Sequence, residues 1–231
     1  MTVRGSLLVQ AGIRMICFVV FLGQALGSWT VPREIWVLAG LFLAVSMVRR
    51  LFPNRLESHG ADKQFDLAQG EVPKEVQRQW KKEAWRSGLV WVVCNAVCLF
   101  FLLSLPQREE ALWALTFFYS VCDVVCIVAF CPFQVFWMKN RCCMTCVIYN
   151  WDYLMMATPL LFSRFWGGRC LFLLGCVVFF QWEWKKRRYP ARFWEKTNPR
   201  LSCGNCTEKS CRSRNVVLRT LTAFTQQKIE K

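Results

Sequence analysis

The sequence predicts an all-α fold: a polytopic membrane helix bundle of about six spans, with a cysteine-rich loop and tail on the cytoplasmic face. Hydrophobic residues make up 55% of the 231 residues and aromatic residues 15%, which is more apolar than soluble domains usually are. These residues are gathered into blocks of about 17–20, the length that a helix needs to cross a hydrocarbon core. Basic residues flank one set of block ends, as is typical of the cytoplasmic side of membrane proteins.

The predicted transmembrane domain covers residues 1–182, and a basic, cysteine-containing cytoplasmic tail covers residues 183–231. No soluble stretch is long enough for a second hydrophobic core, so one membrane domain is expected. Its spans are predicted at residues 13–29, 35–48, 88–105, 111–130, 147–162 and 165–182, with a cytoplasmic loop at 49–86.

The first span has two interpretations. A cleaved signal peptide would explain an apolar stretch so close to the N-terminus, with Ala25-Leu26-Gly27 as the cleavage site. A retained span is favoured, because Gly23 and Gln24 suit a helix packed closely against a neighbour.

The loop at 49–86 contains a second helical pattern at residues 73–86. Val76, Trp80 and Ala84 are spaced by four and flanked by Lys and Glu, which favours an amphipathic helix lying on the membrane surface. An ordinary solvated connector is the alternative interpretation.

Charge asymmetry predicts the orientation of the chain. With both termini in the cytoplasm of a cell membrane protein, the inner side holds nearly all the basic residues, and the tail alone has 13 Lys and Arg. The outer side then holds only Arg33, Arg108, Arg164 and Arg169. Tryptophans near the span ends are typical of interfacial anchors; they are Trp36, Trp85, Trp113, Trp137, Trp166 and Trp182.

The formal net charge of +15 predicts a partner of opposite charge. Because the basic residues stand beside apolar spans, the predicted partner is a bilayer with anionic headgroups. Nucleic-acid binding is not expected from this placement.

Seven of the 14 cysteines fall at or beyond the basic ends of the spans. The loop between spans four and five contributes Cys131, Cys142, Cys143 and Cys146, and the tail contributes Cys203, Cys206 and Cys211. Two pairs have the CxxC spacing, in which a tight turn lets both sulfurs point to one metal ion. The remaining cysteines lie within spans, where small hydrophobic packing explains them.

These thiols predict a cysteine-ligated metal centre on the cytoplasmic face. An iron–sulfur cluster is favoured, because the site adjoins a membrane domain with acidic groups inside it. Structural zinc is the alternative cofactor, and dithiol redox chemistry or no site at all remain open. The single histidine, His59, excludes bis-histidine haem within one chain.

Two acidic residues lie inside predicted spans. Asp123 is near the middle of span four, where a carboxylate is costly unless it is paired or hydrated. Asp152 opens span five, and the two acids are interpreted as parts of a proton path. The alternatives are that Asn150 caps the helix that begins at Asp152, and that Asp123 is hydrogen-bonded to Asn95 or Tyr119.

The working hypothesis is membrane-associated electron transfer through the metal centre, with a quinone or a redox partner protein as donor or acceptor. The rivals are a transporter or channel with Asp123 in its path and soft-metal-sensing thiols, and a scaffold protein with a structural zinc site. The sequence has no phosphate-binding glycine loop, dinucleotide fingerprint or HExxH helix, so no catalytic residue is assigned.

Overall fold

The structure is a computed structural model that describes residues 3–52, 68, 70–128, 131–133 and 145–202. Every regular element in these ranges is helical, and no strand occurs among them. The prediction of an all-α chain is confirmed for this part of the protein.

Six α-helices form the bundle: α1 (Val3–Ala25), α2 (Arg33–Arg50), α3 (Lys74–Leu103), α4 (Arg108–Val128), α5 (Asp152–Ala157) and α6 (Trp166–Arg188). Short 3-10 helices flank α5 at Tyr149–Trp151 and Thr158–Phe162, and two more follow α6 at Pro190–Phe193 and Pro199–Leu201.

Three of the helices are long and apolar enough to cross a membrane, namely Leu8–Ala25, Lys74–Leu103 and Arg108–Ile127. This agrees with a helical membrane protein and is fewer than the six spans expected. Helix α2 has 18 residues and carries charged residues in its first and last turns. Helix α6 ends in four consecutive basic residues, 185–188, and carries Arg169 near its start.

The predicted surface helix at 73–86 and the predicted span at 88–105 are one continuous helix, α3. Its 30 residues extend about 45 Å, which exceeds a hydrocarbon core of roughly 30 Å. Pro73 is the cap residue before the helix, and α3 continues through Gly88, where a Cβ atom would lie 3.2 Å from the ring of Trp151. The first turns of α3 therefore extend beyond an apolar span.

The predicted span at 147–162 is a broken helical segment in the structure. Its α-helical part, α5, has only six residues, and the 3-10 helix Thr158–Phe162 follows it directly. Pro159 has no N–H and cannot continue the α-helical pattern, while the hydroxyl of Thr158 donates to the carbonyl of Leu154 at 2.8 Å. A proline at this position explains why α5 stops early.

An aromatic cluster forms the core where α1, α2 and α4 meet. Phe21 stacks on Phe117 with ring centroids 5.6 Å apart. Trp36 packs edge-on against Phe21, and the ring of Trp113 is tilted by 31° from that of Phe21. Trp113 is only 4% exposed and Trp182 only 2%. The prediction that these two tryptophans are interfacial anchors is wrong, because packing between helices covers both rings.

We call the two ends of the bundle the turn end and the basic end, and we define each end by the residues in contact there. At the turn end, Gln24 of α1 faces Glu110 of α4 at 3.5 Å, and Ser163 donates to Glu109 at 2.8 Å. At the basic end, the indole N–H of Trp182 donates to the carbonyl of Arg50 at 3.2 Å. Helices α1 and α4 are therefore antiparallel, while α2 and α6 run in the same direction.

Candidate functional site

A buried ion pair joins α1 to α4. The Arg14 Nη1 atom donates to Asp123 Oδ2 at 2.9 Å and to the carbonyl of Ser120 at 3.1 Å. Arg14 is 5% exposed, and both charged residues lie within helices that are candidate membrane spans. Each charge offsets the cost of placing the other in an apolar environment, so a lone buried charge on either helix would carry a large penalty.

The predicted partners of Asp123 are wrong. Tyr119 donates to Asn95 Oδ1 at 3.0 Å, so these two residues bond to each other, and Arg14 is the partner of Asp123. Sequence reasoning missed Arg14 because it counted this residue among the cytoplasmic basic residues that precede the first span. The helix begins at Val3, and its apolar window begins at Leu8, which brings Arg14 inside the bundle.

A second buried cation, Arg50, lies at the basic end. It is 1% exposed, donates from Nη2 to Asn150 Oδ1 at 2.9 Å and lies 3.7 Å from a carboxylate oxygen of Asp152. Its guanidinium also lies over two aromatic rings, 4.7 Å from the centroid of Tyr149 and 5.8 Å from that of Trp182. Planar guanidinium groups suit this arrangement, since they stack on rings and form hydrogen bonds at the edge.

Asn150 does not cap the following helix, contrary to the alternative interpretation of the sequence. The residue before α5 is Trp151, which forms no side-chain capping bond, and the Asn150 amide oxygen instead accepts from Arg50. Asp152 does lie in the first turn of α5, as that interpretation expected. Nothing in the sequence indicates that Arg50 is buried whereas its neighbour Arg49 is exposed.

The two ion pairs interact with each other. Arg14 is attracted to Asp152 as well as to Asp123, and the two carboxylates repel each other. The resulting set holds two cations and two anions. Its four members come from α1, α2, α4 and α5, so any movement among these helices must rearrange the charges. We call Arg14, Arg50, Asp123 and Asp152 the buried charge cluster.

Part of the hydrogen-bonding capacity of the cluster is unused within the described ranges. Asp152 Oδ1, the Nε atoms of Arg14 and Arg50, and the hydroxyl of Ser120 are buried and have no hydrogen-bond partner there. Buried polar atoms without partners are costly, typically about 1–3 kcal/mol each. Such atoms can bind a small polar species that enters the cluster.

The predicted cysteine site lies mostly outside the described residues. Cys142, Cys143, Cys203, Cys206 and Cys211 all fall there. Of the nine cysteines that are described, none forms a disulfide, and the same part of the chain holds no group of three or more side chains suited to a metal ion.

The other two predicted ligands are described. Cys131 is hydrogen-bonded to Cys126 near the end of α4. Cys146 lines a small cavity at the basic end together with Lys186 and Phe193. The chain beyond α6 therefore returns to the cysteine loop, since Phe193 belongs to the first 3-10 helix of the tail.

One lysine, Lys186, lines this small cavity, and Lys185 is its neighbour in the chain. Lys186 pairs with Glu183 and donates to the carbonyl of Val147 at 3.1 Å. Lys185 lies over the Trp182 ring at 4.8 Å; burial, and then the charge of Arg192, lower the pKa of Lys185 to about 8. The basic end thus places Cys146 in the same cavity as Lys186.

Comparison with known proteins assigns no family. The chain matches no known protein-family model, no curated protein and no solved structure. Its function must therefore be inferred from its own residues.

Proposed function

We propose that this chain is a polytopic membrane transport protein in which Asp123 binds and releases a proton. The observation that carries the proposal is the Arg14–Asp123 pair, which joins two apolar helices at 2.9 Å. Proton uptake by Asp123 would remove its charge and release Arg14, and proton loss would restore the pair. Ionisable residues inside membrane spans commonly mark such pathways.

The surroundings of the pair support transport over a purely structural role. A buried ion pair is often no more stabilising than apolar side chains of similar volume, so stability alone explains it poorly. The side chain of Asp123 is 23% exposed, so it is not sealed within the bundle. In this proposal Asp152, which has an unused carboxylate oxygen, would serve as a second proton acceptor.

We also propose that the chain crosses the membrane six times with both termini in the cytoplasm. In support, the helices α1, α3 and the segment 149–162 lead toward the turn end, and α2, α4 and α6 lead back to the basic end. The broken segment is short for a span, and packing against α4 and α6 would cover its exposed backbone groups.

Reporter fusions test this topology. A fusion at Gln107 should report the outer side and a fusion at Lys231 the cytoplasmic side. The reason is that basic residues are concentrated at the basic end and in the tail. Reports from the same side would contradict six crossings. An N-terminus at Ser28 in the purified protein would instead identify a cleaved signal peptide.

Proton flux into liposomes containing the purified chain tests the function. Asp123→Asn keeps the shape of the side chain and removes the titratable group, so flux driven by a pH gradient should fall about tenfold or more. A pH-sensitive dye inside the liposomes measures the rate.

The matched control is Glu83→Gln, which removes a carboxylate that accepts a hydrogen bond from Gln79 on the exposed part of α3. Its flux should equal that of the native chain. The double variant Arg14→Gln/Asp123→Asn removes both charges, so no lone cation remains in the bundle. If this double variant folds and transports normally, the pair is structural and the transport proposal is wrong.

A cysteine-ligated metal centre is the second candidate function, with iron–sulfur favoured over zinc and a quinone or redox protein as partner. The observation in its favour is that Cys146 lines a cavity with Phe193, at the point where the tail leaves α6. Anionic lipid headgroups are the expected partners of the lysines and arginines at the basic end.

A further inference from the structure

A large groove lies at the turn end of the bundle, opposite the end that holds Arg50. It encloses about 1250 Å³ between the end of α1, the first half of α2 and the starts of α4 and α6. Ordinary small-molecule pockets enclose roughly 300–1,000 Å³. The larger volume suits a ligand that carries a hydrocarbon chain.

The body of the groove is apolar. Trp36, Leu171 and Leu174 form its deeper wall, and Val37 and Leu41 form an edge. These edge residues are 52% and 55% exposed, so the groove is open along the side of α2. A chain of methylene groups could pass from the groove along this edge into the surrounding bilayer.

The rim of the groove is positively charged. Arg33, Arg108 and Arg164 all line it, and they are three of the four basic residues expected on the outer side. Among the described residues, neither Arg33 nor Arg164 has a carboxylate within ion-pair distance. The positive-inside rule leaves few cations on this face, so their convergence on one groove needs another explanation.

The two acidic residues of the rim are already engaged. Glu109 accepts hydrogen bonds from the hydroxyl of Ser163 at 2.8 Å and from the backbone N–H of Arg164 at 2.6 Å. Glu110 faces the amide of Gln24 at 3.5 Å. Arg108 Nε lies 4.0 Å from Glu109 Oε1, while the guanidinium groups of Arg33 and Arg164 remain available to an external anion.

A buried donor lies deeper in the groove. The indole N–H of Trp113 has no acceptor within the described part of the chain, although the residue is only 4% exposed. Trp113 follows Arg108 by five residues, which places it about 7.5 Å further along α4. The buried Nε of Arg108 and Oε1 of Gln24 likewise lack partners there.

We propose that this groove binds one anionic phospholipid. The phosphate lies among Arg33, Arg108 and Arg164, because charge-assisted hydrogen bonds from guanidinium groups suit phosphate oxygens. An ester carbonyl below the phosphate accepts from Trp113, and the acyl chains follow Val37 and Leu41 into the bilayer. This lipid site lies at the opposite end from the buried cation Arg50 and does not depend on proton transport.

Native mass spectrometry of the purified full chain in detergent tests the site. Titration with phosphatidylglycerol should show one bound lipid, with an affinity about tenfold higher than that for phosphatidylcholine of the same chain length. Arg33→Gln/Arg164→Gln should abolish this preference. The matched control, Arg49→Gln/Arg187→Gln, removes two exposed arginines at the other end and should retain it.

Two further measurements test the contributions of the ester carbonyl and of the acyl chains separately. Trp113→Phe should lower the affinity for both lipids by about two- to tenfold, because the ester carbonyl is common to them. Inorganic phosphate at millimolar concentration should not displace the lipid, since it has no chain. Equal binding of the two lipids to the native chain, an undiminished preference in Arg33→Gln/Arg164→Gln, or displacement by phosphate would each overturn the proposal.

Discussion

Replacing Arg50 with methionine is expected to destabilise the protein more than any other single substitution at the basic end. The change leaves Asp152 buried without its cation and removes a hydrogen bond to Asn150. Loss of one member of a buried pair typically costs about 3–5 kcal/mol. Thermal unfolding in detergent should therefore show a large fall in Tm, and size-exclusion chromatography should show less folded protein.

The adjacent residue supplies the control for this prediction. Arg49 is exposed at the end of the same helix, so Arg49→Met removes the same charge and should change Tm little. Arg50→Met/Asp152→Asn should be more stable than Arg50→Met, because no uncompensated charge remains. Arg50→Lys should stay destabilised, since an ammonium cannot replace the planar group stacked on Tyr149. Equal stability of Arg49→Met and Arg50→Met would show that burial of Arg50 contributes nothing.

Replacing Cys203, Cys206 and Cys211 together with serine is expected to abolish any bound metal. Three tail thiols are one short of the four that a closed zinc site or a cubane cluster requires, so in the proposed centre a loop cysteine such as Cys146 would complete the set. Because metal binding also orders its ligands, the triple variant should become sensitive to protease in the tail. Metal and sulfide analysis of protein purified without oxygen, with visible and EPR spectra, measures the loss.

Cys94→Ser/Cys98→Ser is the matched control for the tail cysteines. These two thiols lie within α3, inside a candidate membrane span, and their replacement should leave metal content and protease resistance unchanged. Full metal and sulfide content in the triple variant would exclude the tail as a ligand set. Metal without sulfide or a visible spectrum would identify zinc in place of an iron–sulfur cluster.

Several features were predictable from the sequence because they depend on local pattern. Apolar blocks near 17–20 residues predicted helices in a membrane, and the helices at Leu8–Ala25 and Arg108–Ile127 agree with two of the expected spans. Asp123 stood out because a carboxylate inside such a block is unusual. Each of these inferences compares a residue only with its neighbours in the chain.

Helix boundaries were less predictable, because the effect of a glycine or a proline on a helix depends on the residues packed around it. The sequence predicts a new span that starts at Gly88, yet α3 runs through this glycine, which lies against the ring of Trp151. The sequence also predicts one unbroken span over residues 147–162, yet α5 stops after six residues, next to Pro159. Tertiary packing decides whether such a residue interrupts a helix or lies within one.

By itself, the sequence determined the helical class, the apolar spans among these helices and the strong concentration of basic residues at one set of span ends. Composition and spacing are enough for these properties, since they follow from transfer of side chains between water and hydrocarbon. The tertiary structure alone decided that Arg14 pairs with Asp123 across 109 residues, that Arg50 is buried while Arg49 is not, and that three arginines meet at one groove. Ion pairing requires two side chains at the same depth on adjacent helices, and neither depth nor adjacency is encoded in a local pattern.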